Sequence, residues 1–447
     1  MRIRRIAAAT VVATALSLTT AAAPAAFAGP GPASAPASAP ATVPATARPG
    51  TALDPAALGG ALRAVHEAGM YGLYSSVRDG DRAWSGASGV ADVATGRPVR
   101  PDMRHRVGSI SKSFAAVAVL QQVEAGRIRL DAPIATYLPG LVPGERGDRI
   151  TVRMLLDHTS GIGDYVVPAF PSLAEGSTAS LDEERFRSIR PAELVRLGLA
   201  APATGAPGAL PGHYSNTNYV IAGLLLAKVT GQDPEAYITR HVIGRAGLRH
   251  TSYPRTAALQ GPHARMYESF YGLIDPPRDY SVYDMSWAYT AGAVVSTTDD
   301  LNRFYRALLT GRLIGPAALK EMQRTVPVDG LNYGLGLYAV DIPGCGRFWG
   351  HDGAVFGAGT IALSSPDGKR QVAVGWNLMK YERLKEDGTG FEPSPIDDAL
   401  NAYVVTALCP ATASAAATPA PSVSAPRTAT VLRGADLSPD VWAGILR

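Results

Sequence analysis

Cysteine, lysine and long apolar runs are scarce in this chain of 447 residues. The sequence has no H-E-x-x-H motif, no cluster of His and Asp at metal-ligand spacing and no glycine-rich phosphate loop, so it predicts neither a metal nor a nucleotide cofactor. Beyond residue 28 no segment reaches roughly 18 uninterrupted apolar residues, so no stable membrane span is predicted.

The chain has two cysteines, Cys345 and Cys409. In an exported protein an even pair is most simply a disulfide, which here would join a late strand to the final helix. Two free buried thiols are the alternative. Neither cysteine has a His or Cys neighbour at metal-ligand spacing, so a metal site at this pair is not expected.

The chain also lacks a strong excess of charge. Its formal net charge of +4 includes Arg2, Arg4 and Arg5 near the amino terminus, so 4 − 3 leaves +1 for the rest of the chain. No basic cluster with interleaved aromatic residues occurs. Neither nucleic acid nor an acidic membrane surface is therefore an expected partner.

The two ends of the chain differ in composition from the middle. Residues 1–28 have three arginines, an apolar run and a final Ala-Phe-Ala, which is the pattern of a cleaved secretory signal, so we expect a secreted protein. Residues 29–52 form a linker of mainly Pro, Ala and Ser, and residues 411–447 begin with a similar stretch and are expected to be a flexible tail. Residues 53–410 have ordinary globular composition, enough for one large domain.

Hydrophobic periodicity predicts an α/β fold. Two strand-like runs form a hairpin around Asp79-Gly80, and a second hairpin turns at Asp367-Gly368. Residues 127–284 have mostly helical periods separated by Pro- and Gly-rich connectors. Strands at both ends and helices between them indicate one sheet built from residues 53–126 and 285–410, with an all-helical lobe of residues 127–284 inserted.

The stretch GSISKSF, residues 108–114, holds one of the six lysines of the chain. Ser109 and Lys112 form the only S-x-x-K sequence, and on a helix this spacing places both side chains on one face. A lysine can take the proton of a serine hydroxyl if burial and the positive end of a helix lower its pKa. The pair is a candidate nucleophile and base, although S-x-x-K alone is weak evidence.

Two further polar motifs accompany this pair. Tyr214 and Asn216 form the only Y-x-N, where a phenol could relay a proton and an amide could hold the lysine and a substrate carbonyl. Their alternative role is a polar loop in which Asn216 or Thr217 caps the next helix. His351 and Gly353 form the only H-x-G, on a predicted strand where glycine would admit a substrate backbone; a structural histidine beside a bulge is the alternative.

The ordered motifs S-x-x-K, Y-x-N and H-x-G resemble those of the serine penicillin-recognising hydrolases. The likeness is greatest to secreted D-alanyl-D-alanine carboxypeptidases related to class C β-lactamases. It covers residues of about 54 to 409 and includes LPGL, DHTSG, YSNTNY, SWAYTAGAVVSTTDDL and YGLGL. The resemblance implies a β-lactamase/transpeptidase-like fold, an antiparallel sheet flanked by helices with an inserted helical lobe.

The resemblance also implies roles for single residues. Ser109 would be the acylated nucleophile, Lys112 its base partner and Tyr214 the proton relay. Substrate would be bound by the following side chains or backbone groups: Asn216, His351, Gly353, Ala354, Trp287 and Phe170. The oxyanion hole would be formed by the N–H groups of Ser109 and Ala354. Trp287 and Phe170 would line the cleft or else belong to the core.

Two departures from the carboxypeptidase pattern bear on the substrate. The run His351-Asp352-Gly353-Ala354 replaces the usual H-T-G-T, and Tyr338 stands where the resemblance leads us to expect an arginine. If Asp352 faces the cleft, these changes weaken the binding of a free carboxylate by at least about 1 to 3 kcal/mol. Arg347 could compensate.

These observations predict a secreted serine hydrolase that forms an acyl-enzyme without metal or cofactor. A D-alanyl-D-alanine carboxypeptidase acting on cell-wall-type peptides and acylated by penicillins is the first expectation. The alternatives are an esterase or D-amino-acid peptidase, a β-lactamase, and a non-catalytic module that binds peptides. We expect a monomer whose partners are a peptide or ester substrate and covalently bound β-lactams.

Overall fold

The structure is a computed structural model that describes residues 53–383, 385 and 390–409. The predicted signal, linker and tail lie outside the described residues. Within these ranges, no helix is both long enough and apolar enough to cross a lipid bilayer.

The described chain begins with a helix and a group of strands, continues with a long run of helices, and ends with a second group of strands and a final helix. The helices are α1 (Pro55–Glu67), α2 (Ser111–Glu124), α3 (Glu145–Arg149), α4 (Val152–Leu156), α5 (Val166–Ala169), α6 (Ala179–Glu184), α7 (Pro191–Ala200), α8 (Asn216–Thr230), α9 (Pro234–Ile238), α10 (Gly244–Ala246), α11 (Tyr289–Gly292), α12 (Thr298–Leu309), α13 (Pro316–Met322) and α14 (Pro395–Leu408). Short 3₁₀ turns span Gly108–Ile110, Ile134–Thr136, Pro171–Glu175 and Phe270–Gly272, and a π-helical turn spans Thr239–Ile243. The strands are β1 (Gly72–Asp79), β2 (Arg82–Asp92), β3 (Arg97–Pro98), β4 (His105–Arg106), β5 (Tyr267–Glu268), β6 (Arg278–Asp279), β7 (Val295–Ser296), β8 (Val326–Val328), β9 (Leu331–Tyr333), β10 (Tyr338–Ile342), β11 (Gly346–Val355), β12 (Ala358–Ser364), β13 (Arg370–Trp376) and β14 (Leu378–Met379).

The main sheet has nine strands in the order β3-β2-β1-β13-β12-β11-β10-β9-β8, and neighbouring strands pair antiparallel. The pairing of β1 with β13, in the interior of the sheet, joins the two ends of the domain. The predicted α/β fold, with one antiparallel sheet completed by distant segments, is confirmed. Both predicted hairpins form, with the turn glycines Gly80 and Gly368 in the left-handed region at φ 62° and 70°.

The interval from residue 127 to residue 284 carries helices α3 to α10. It also contains the two-residue strands β5 and β6, so it is not helical throughout. These strands form a small sheet with β14, in which β14 pairs parallel to β5. The small sheet connects the end of this interval to the segment that follows β13.

The main sheet lies between two layers of helices. Ile361, Val372 and Val374 belong to a core with α1 and α14, whereas their neighbours Ala362 and Ala373 belong to a larger core with α2, α8 and α12. This division follows from the alternation of side chains along a strand. Helix α1 fits its layer because the buried residues Leu58, Leu62 and Val65 recur at helical spacing. Asp54 caps the helix by accepting from Ala56 N and Ala57 N.

Strand β11 packs backbone against backbone on the turn that begins α2. A Cβ atom added to Gly353 would lie 2.0 Å from Val107 O and 2.7 Å from Ser109 N, and one added to Gly108 would lie 2.6 Å from Ala354 N. Real Cβ atoms do not approach so closely. Glycine is therefore required at both positions for the strand to reach Ser109.

Cys345 and Cys409 form a disulfide with a Cα–Cα distance of 5.4 Å, so the predicted pairing is confirmed. Cys345 lies in the turn between β10 and β11, and Cys409 is the residue that ends α14. The bond ties the last helix to the sheet.

Removal of the disulfide should destabilise the protein. It closes a loop with a sequence separation of 64 residues, and its loss frees the unfolded chain. The double variant Cys345→Ala/Cys409→Ala should lose about 2–4 kcal/mol of unfolding free energy, measured by guanidinium denaturation. The wild type should lose a similar amount when reduced, while reductant should not affect the double variant. Equal stability of oxidised wild type and double variant would contradict this role.

Gly353→Ala should destabilise the contact between β11 and the start of α2. The added methyl group has no space beside Val107 O, so we expect a loss of about 1–3 kcal/mol or more in unfolding free energy. Gly59→Ala is the matched control, because Gly59 is in α1 and a Cβ there would meet no atom within 4 Å. Similar unfolding midpoints for the two variants would show that β11 does not lie so close to the turn before α2.

Candidate active site

Ser109 lies in the 3₁₀ turn Gly108–Ile110 that runs directly into α2. The left-handed conformation of Gly108, with φ at 52°, turns the chain from β4 into this helix. Ser109 keeps 5% of its surface exposed. The serine is thus held at the amino-terminal end of a buried helix, where the backbone N–H groups favour negative charge.

Lys112 is fully buried one turn further along, and its amine is surrounded by oxygen acceptors. Lys112 Nζ donates to Ser109 Oγ at 2.9 Å, to Asn216 Oδ1 at 2.7 Å and to Ala291 O at 3.0 Å. These contacts join α2, α8 and α11. The predicted nucleophile and base are therefore in direct contact, and a proton can pass between them without movement of the backbone.

Tyr214 lies beside the same amine, two residues before α8. The centre of its ring is 4.7 Å from Lys112 Nζ, within the range of a cation–π contact. The ring of His158 also packs against Tyr214, with 4.1 Å between ring centres. The three residues expected to carry the chemistry, Ser109, Lys112 and Tyr214, are thus brought together.

His351 projects from β11 towards this group, but it carries no positive charge at neutral pH. Complete burial and the nearby charge of Lys112 lower the pKa of His351 to about 3, despite the hydrogen bond between its ring and the backbone oxygen of Asp352. Its Nε2 lies 2.8 Å from Tyr333 Oη. A neutral histidine can shape the cleft and hydrogen-bond, but it cannot neutralise a substrate carboxylate.

The outer half of β11 provides a backbone edge beside Ser109. Strand β10 pairs with β11 only between Gly346 and Gly350, whereas β12 pairs with it as far as Val355. Ala354 N consequently lies close to the turn that contains Ser109. The N–H groups of Ser109 and Ala354 are near enough in the fold to serve one oxyanion, as the resemblance implied.

A narrow cleft opens at Ser109, and we name it the Ser109 cleft. It is lined by nine residues that carry no charged side chain: Ser109, Tyr165, Asn216, Trp287, Ala288, Ala291, Gly292, Ala354 and Val355. Trp287 is therefore a cleft residue, as expected. Phe170 does not line this cleft: it is 1% exposed and packs edge-to-face behind Trp287, with 5.8 Å between ring centres.

The two departures from the carboxypeptidase motifs are buried together. Asp352 is 4% exposed and Tyr338 is 1% exposed. Burial, first, and then the charge of Asp352 and its hydrogen bond to Tyr338 raise the pKa of Tyr338 well above its usual value. Asp352 is not among the residues that line the Ser109 cleft, so the sequence-based condition that it faces the cleft is not met. Arg347 does not compensate either, because it forms a two-pronged ion pair with Asp341 at 2.8 Å.

Several site residues were not singled out from the sequence. His158 belongs to the DHTSG stretch and stacks on Tyr214, and Tyr333 binds His351. Ala291 contributes only its carbonyl group, which no side-chain motif can indicate. Asp164 accepts hydrogen bonds from Asn216 through both the backbone and the side chain of that residue. Its only sequence signal is its position three residues after the DHTSG stretch.

No group of three or more His, Cys, Asp or Glu side chains in the described part of the chain is placed to hold a metal ion. The chemistry available from the residues present is that of an activated serine: a nucleophile, an adjacent amine, a phenol and backbone N–H donors.

Comparison with known proteins places the chain among proteins of this chemistry. The sequence model of the β-lactamase family matches residues 29–390. A D-stereospecific amidohydrolase from Streptomyces sp. is 35% identical, with a TM-score of 0.68 over 80% of this chain and 99% of that one. The putative penicillin-binding protein PbpX of Bacillus subtilis is 27% identical over 322 residues, 72% of this chain and 74% of the relative.

A third relative has a different named activity. Esterase EstB of Burkholderia gladioli is 31% identical over 212 residues, 45% of this chain and 53% of the esterase. The relatives thus include penicillin-binding, amide-cleaving and ester-cleaving proteins. Because the family model covers most of the sequence and the motif residues meet at one cleft, we conclude that the chain belongs to the β-lactamase family of penicillin-binding-like serine hydrolases.

Proposed function

We propose that the protein is a D-stereospecific amidohydrolase that works through an acyl-enzyme on Ser109. The observation that carries this proposal is the lack of any charged side chain among the described residues that line the Ser109 cleft. A substrate with a carboxylate beside its scissile bond would find no charged side chain along this lining, and the nearby amine of Lys112 is already bound by Ser109, Asn216 and Ala291. A substrate that ends in an amide needs no cation. The 35% identity to a D-stereospecific amidohydrolase over 99% of that chain supports the substrate class.

Acylation requires Lys112 as the neutral amine, whose two hydrogens stay with Asn216 Oδ1 and Ala291 O while its lone pair faces Ser109 Oγ. This amine accepts the proton of Ser109 Oγ across their 2.9 Å contact and becomes an ammonium. The oxygen attacks the amide carbon, and the N–H groups of Ser109 and Ala354 hold the oxyanion. When the oxyanion collapses, the C–N bond breaks and the leaving nitrogen receives a proton relayed by Tyr214. Ammonia or an amine departs, and the acyl group remains as an ester on Ser109.

Deacylation uses water in place of the amine. Tyr214 and Lys112 accept a proton from the attacking water, the second oxyanion occupies the same two N–H groups, and the ester bond to Ser109 Oγ breaks. The serine regains its proton, and a D-amino acid is released. The overall reaction consumes one water for each amide bond cleaved.

D-alanyl-D-alanine carboxypeptidase activity is the second candidate. It is favoured by the three motifs and by the similarity to the putative penicillin-binding protein PbpX. It would require the substrate's terminal carboxylate to be bound by neutral groups. Under either activity, penicillins should acylate Ser109.

Substrate preference separates the two candidates. We expect D-alanine amide and D-phenylalanine amide to be hydrolysed with kcat/KM at least about tenfold above that of the L-amides and of a peptide ending in D-Ala-D-Ala. Ammonia or D-alanine release would be measured for the wild type and for Ser109→Ala, which should be inactive.

Preference for the D-Ala-D-Ala peptide would establish the carboxypeptidase instead. An esterase would be favoured if labelled penicillin forms a covalent adduct with the wild type but not with Ser109→Ala, while every amide and peptide is hydrolysed slowly. Hydrolysis of p-nitrophenyl esters would then test that activity. Failure of the wild type to form any adduct or release any product would leave a non-catalytic binding module, and rapid turnover of the penicillin itself would indicate a β-lactamase.

We also propose that the protein is exported. The three-part pattern of residues 1–28 supports this, and so does a disulfide, because such bonds persist in oxidising compartments. Amino-terminal sequencing of the protein secreted by a bacterial host should read from Gly29. An Ala28→Arg variant should accumulate unprocessed. Recovery of the wild type only inside the cell, with residues 1–28 still attached, would contradict export.

A further inference from the structure

We infer that Asp164 is a positioning residue of the active site, acting on Lys112 through the amide of Asn216. This inference rests on the proposed acylation of Ser109. Asp164 belongs to none of the three motifs, and its carboxylate accepts hydrogen bonds from Asn216 and Val166. Burial raises the pKa of Asp164, and the nearby charge of Lys112 opposes that rise. The Asp164 carboxylate controls which end of the Asn216 side chain faces the lysine.

The carboxylate of Asp164 receives three hydrogen bonds. Its Oδ2 accepts from Asn216 N at 2.5 Å and from Asn216 Nδ2 at 2.9 Å, and its Oδ1 accepts from Val166 N at 2.8 Å. Asn216 is the first residue of α8, so Asp164 caps that helix from 52 residues away in sequence. The preceding residue, Ser215, does not cap it, because its hydroxyl donates to Gly163 O.

The chemistry of a carboxylate permits one orientation of the amide. A carboxylate has only acceptor oxygens, so it must face the Nδ2 group of Asn216, and Oδ1 must then point the other way, to Lys112 Nζ at 2.7 Å. A flipped amide would place an N–H group against the lysine amine and an oxygen against Asp164. Both contacts would be repulsive, so the flip is opposed at both ends.

The position of the lysine amine depends on this orientation. Asn216 Oδ1 and Ala291 O hold Lys112 Nζ in place. In that position the amine faces Ser109 Oγ. Loss of the Asn216 acceptor would leave a fully buried amine with fewer partners and a freer side chain. The consequence is a slower acylation step with little change in the initial binding of substrate.

Asp164→Asn tests this inference because it keeps the shape of the side chain but replaces one acceptor oxygen with an NH₂ donor. The side chain at position 164 then no longer forces the Nδ2 group of Asn216 to face it. With a fluorescent penicillin, the limiting rate constant of acylation should fall roughly 10- to 100-fold, since small displacements of reacting groups have effects of this size. The dissociation constant of the complex that precedes acylation should change by no more than about threefold. The kcat for amide hydrolysis should fall in parallel.

Asp157→Asn is the matched control. It makes the same change in the same loop, but Asp157 accepts from Thr159, at 2.7 Å from the hydroxyl and 3.1 Å from the backbone N–H, and not from Asn216. It should leave the acylation rate constant unchanged. Unfolding midpoints measured for both variants separate a folding defect from a slower chemical step.

A paired exchange distinguishes positioning from general support of the loop. Asn216→Asp alone sets two carboxylates against each other and should acylate slowly. Adding Asp164→Asn to it restores a donor facing an acceptor, with the new carboxylate at position 216 still able to accept from Lys112. The double variant should therefore acylate at least about tenfold faster than Asn216→Asp alone. Such non-additive effects are expected when two side chains are in direct contact.

The failure of this inference is distinguishable from that of the proposed function. If the wild type is acylated normally and Asp164→Asn acylates at the same rate, the positioning role of Asp164 is wrong and the proposed function stands. A double variant no faster than Asn216→Asp would also overturn the positioning role. If the wild type shows neither a penicillin adduct nor turnover of any amide, the proposed function is wrong, and the role of Asp164 falls with it.

Discussion

The buried amine of Lys112 is the constraint on which the rest of the site depends. Placing an amine in the protein interior is unfavourable unless its hydrogen-bonding capacity is met. Here the acceptors come from the 3₁₀ turn before α2, from α8 and from α11, so these three segments must meet at the amine, which α2 itself carries. The aromatic rings of Tyr214 and Tyr219 complete the surroundings, with Lys112 Nζ 4.7 and 5.8 Å from their centres.

The backbone contact between β11 and the turn before α2 is the second requirement. It brings the N–H groups of Ser109 and Ala354 together, and it exists only because Gly108 and Gly353 leave room for it. The sheet therefore supplies the oxyanion donors while the helices supply the proton acceptor. Two separate cores, one on each face of the sheet, hold these two parts of the site against each other.

Sequence reasoning found what short-range patterns and ordered motifs encode. The hairpins at Gly80 and Gly368, the disulfide and the cluster of Ser109, Lys112 and Tyr214 are of this kind. Features that depend on distant contacts were not accessible. The hydrogen bonds of Asp164 to Asn216 join residues 52 apart, and the burial of Asp352 beside Tyr338 depends on how β10 and β11 pair. The sequence left both a cleft position and a core position open for Phe170, because only the packing around Trp287 decides which aromatic ring reaches the cleft.

The pairing of β1 with β13 has a consequence for the order in which the molecule can assemble. Ser75 in β1 donates to the carbonyl of Ala373, 298 residues later, so the pairing of β1 with β13 must wait for almost the whole domain to be synthesised. Contacts of such long range slow folding, because a large loop must close before they form. A nascent chain that ends before β13 can already contain Ser109, Lys112 and β11, but it lacks the strand that joins β11 and β12 to β1. The parts of the active site are therefore synthesised before the sheet that holds them together can close.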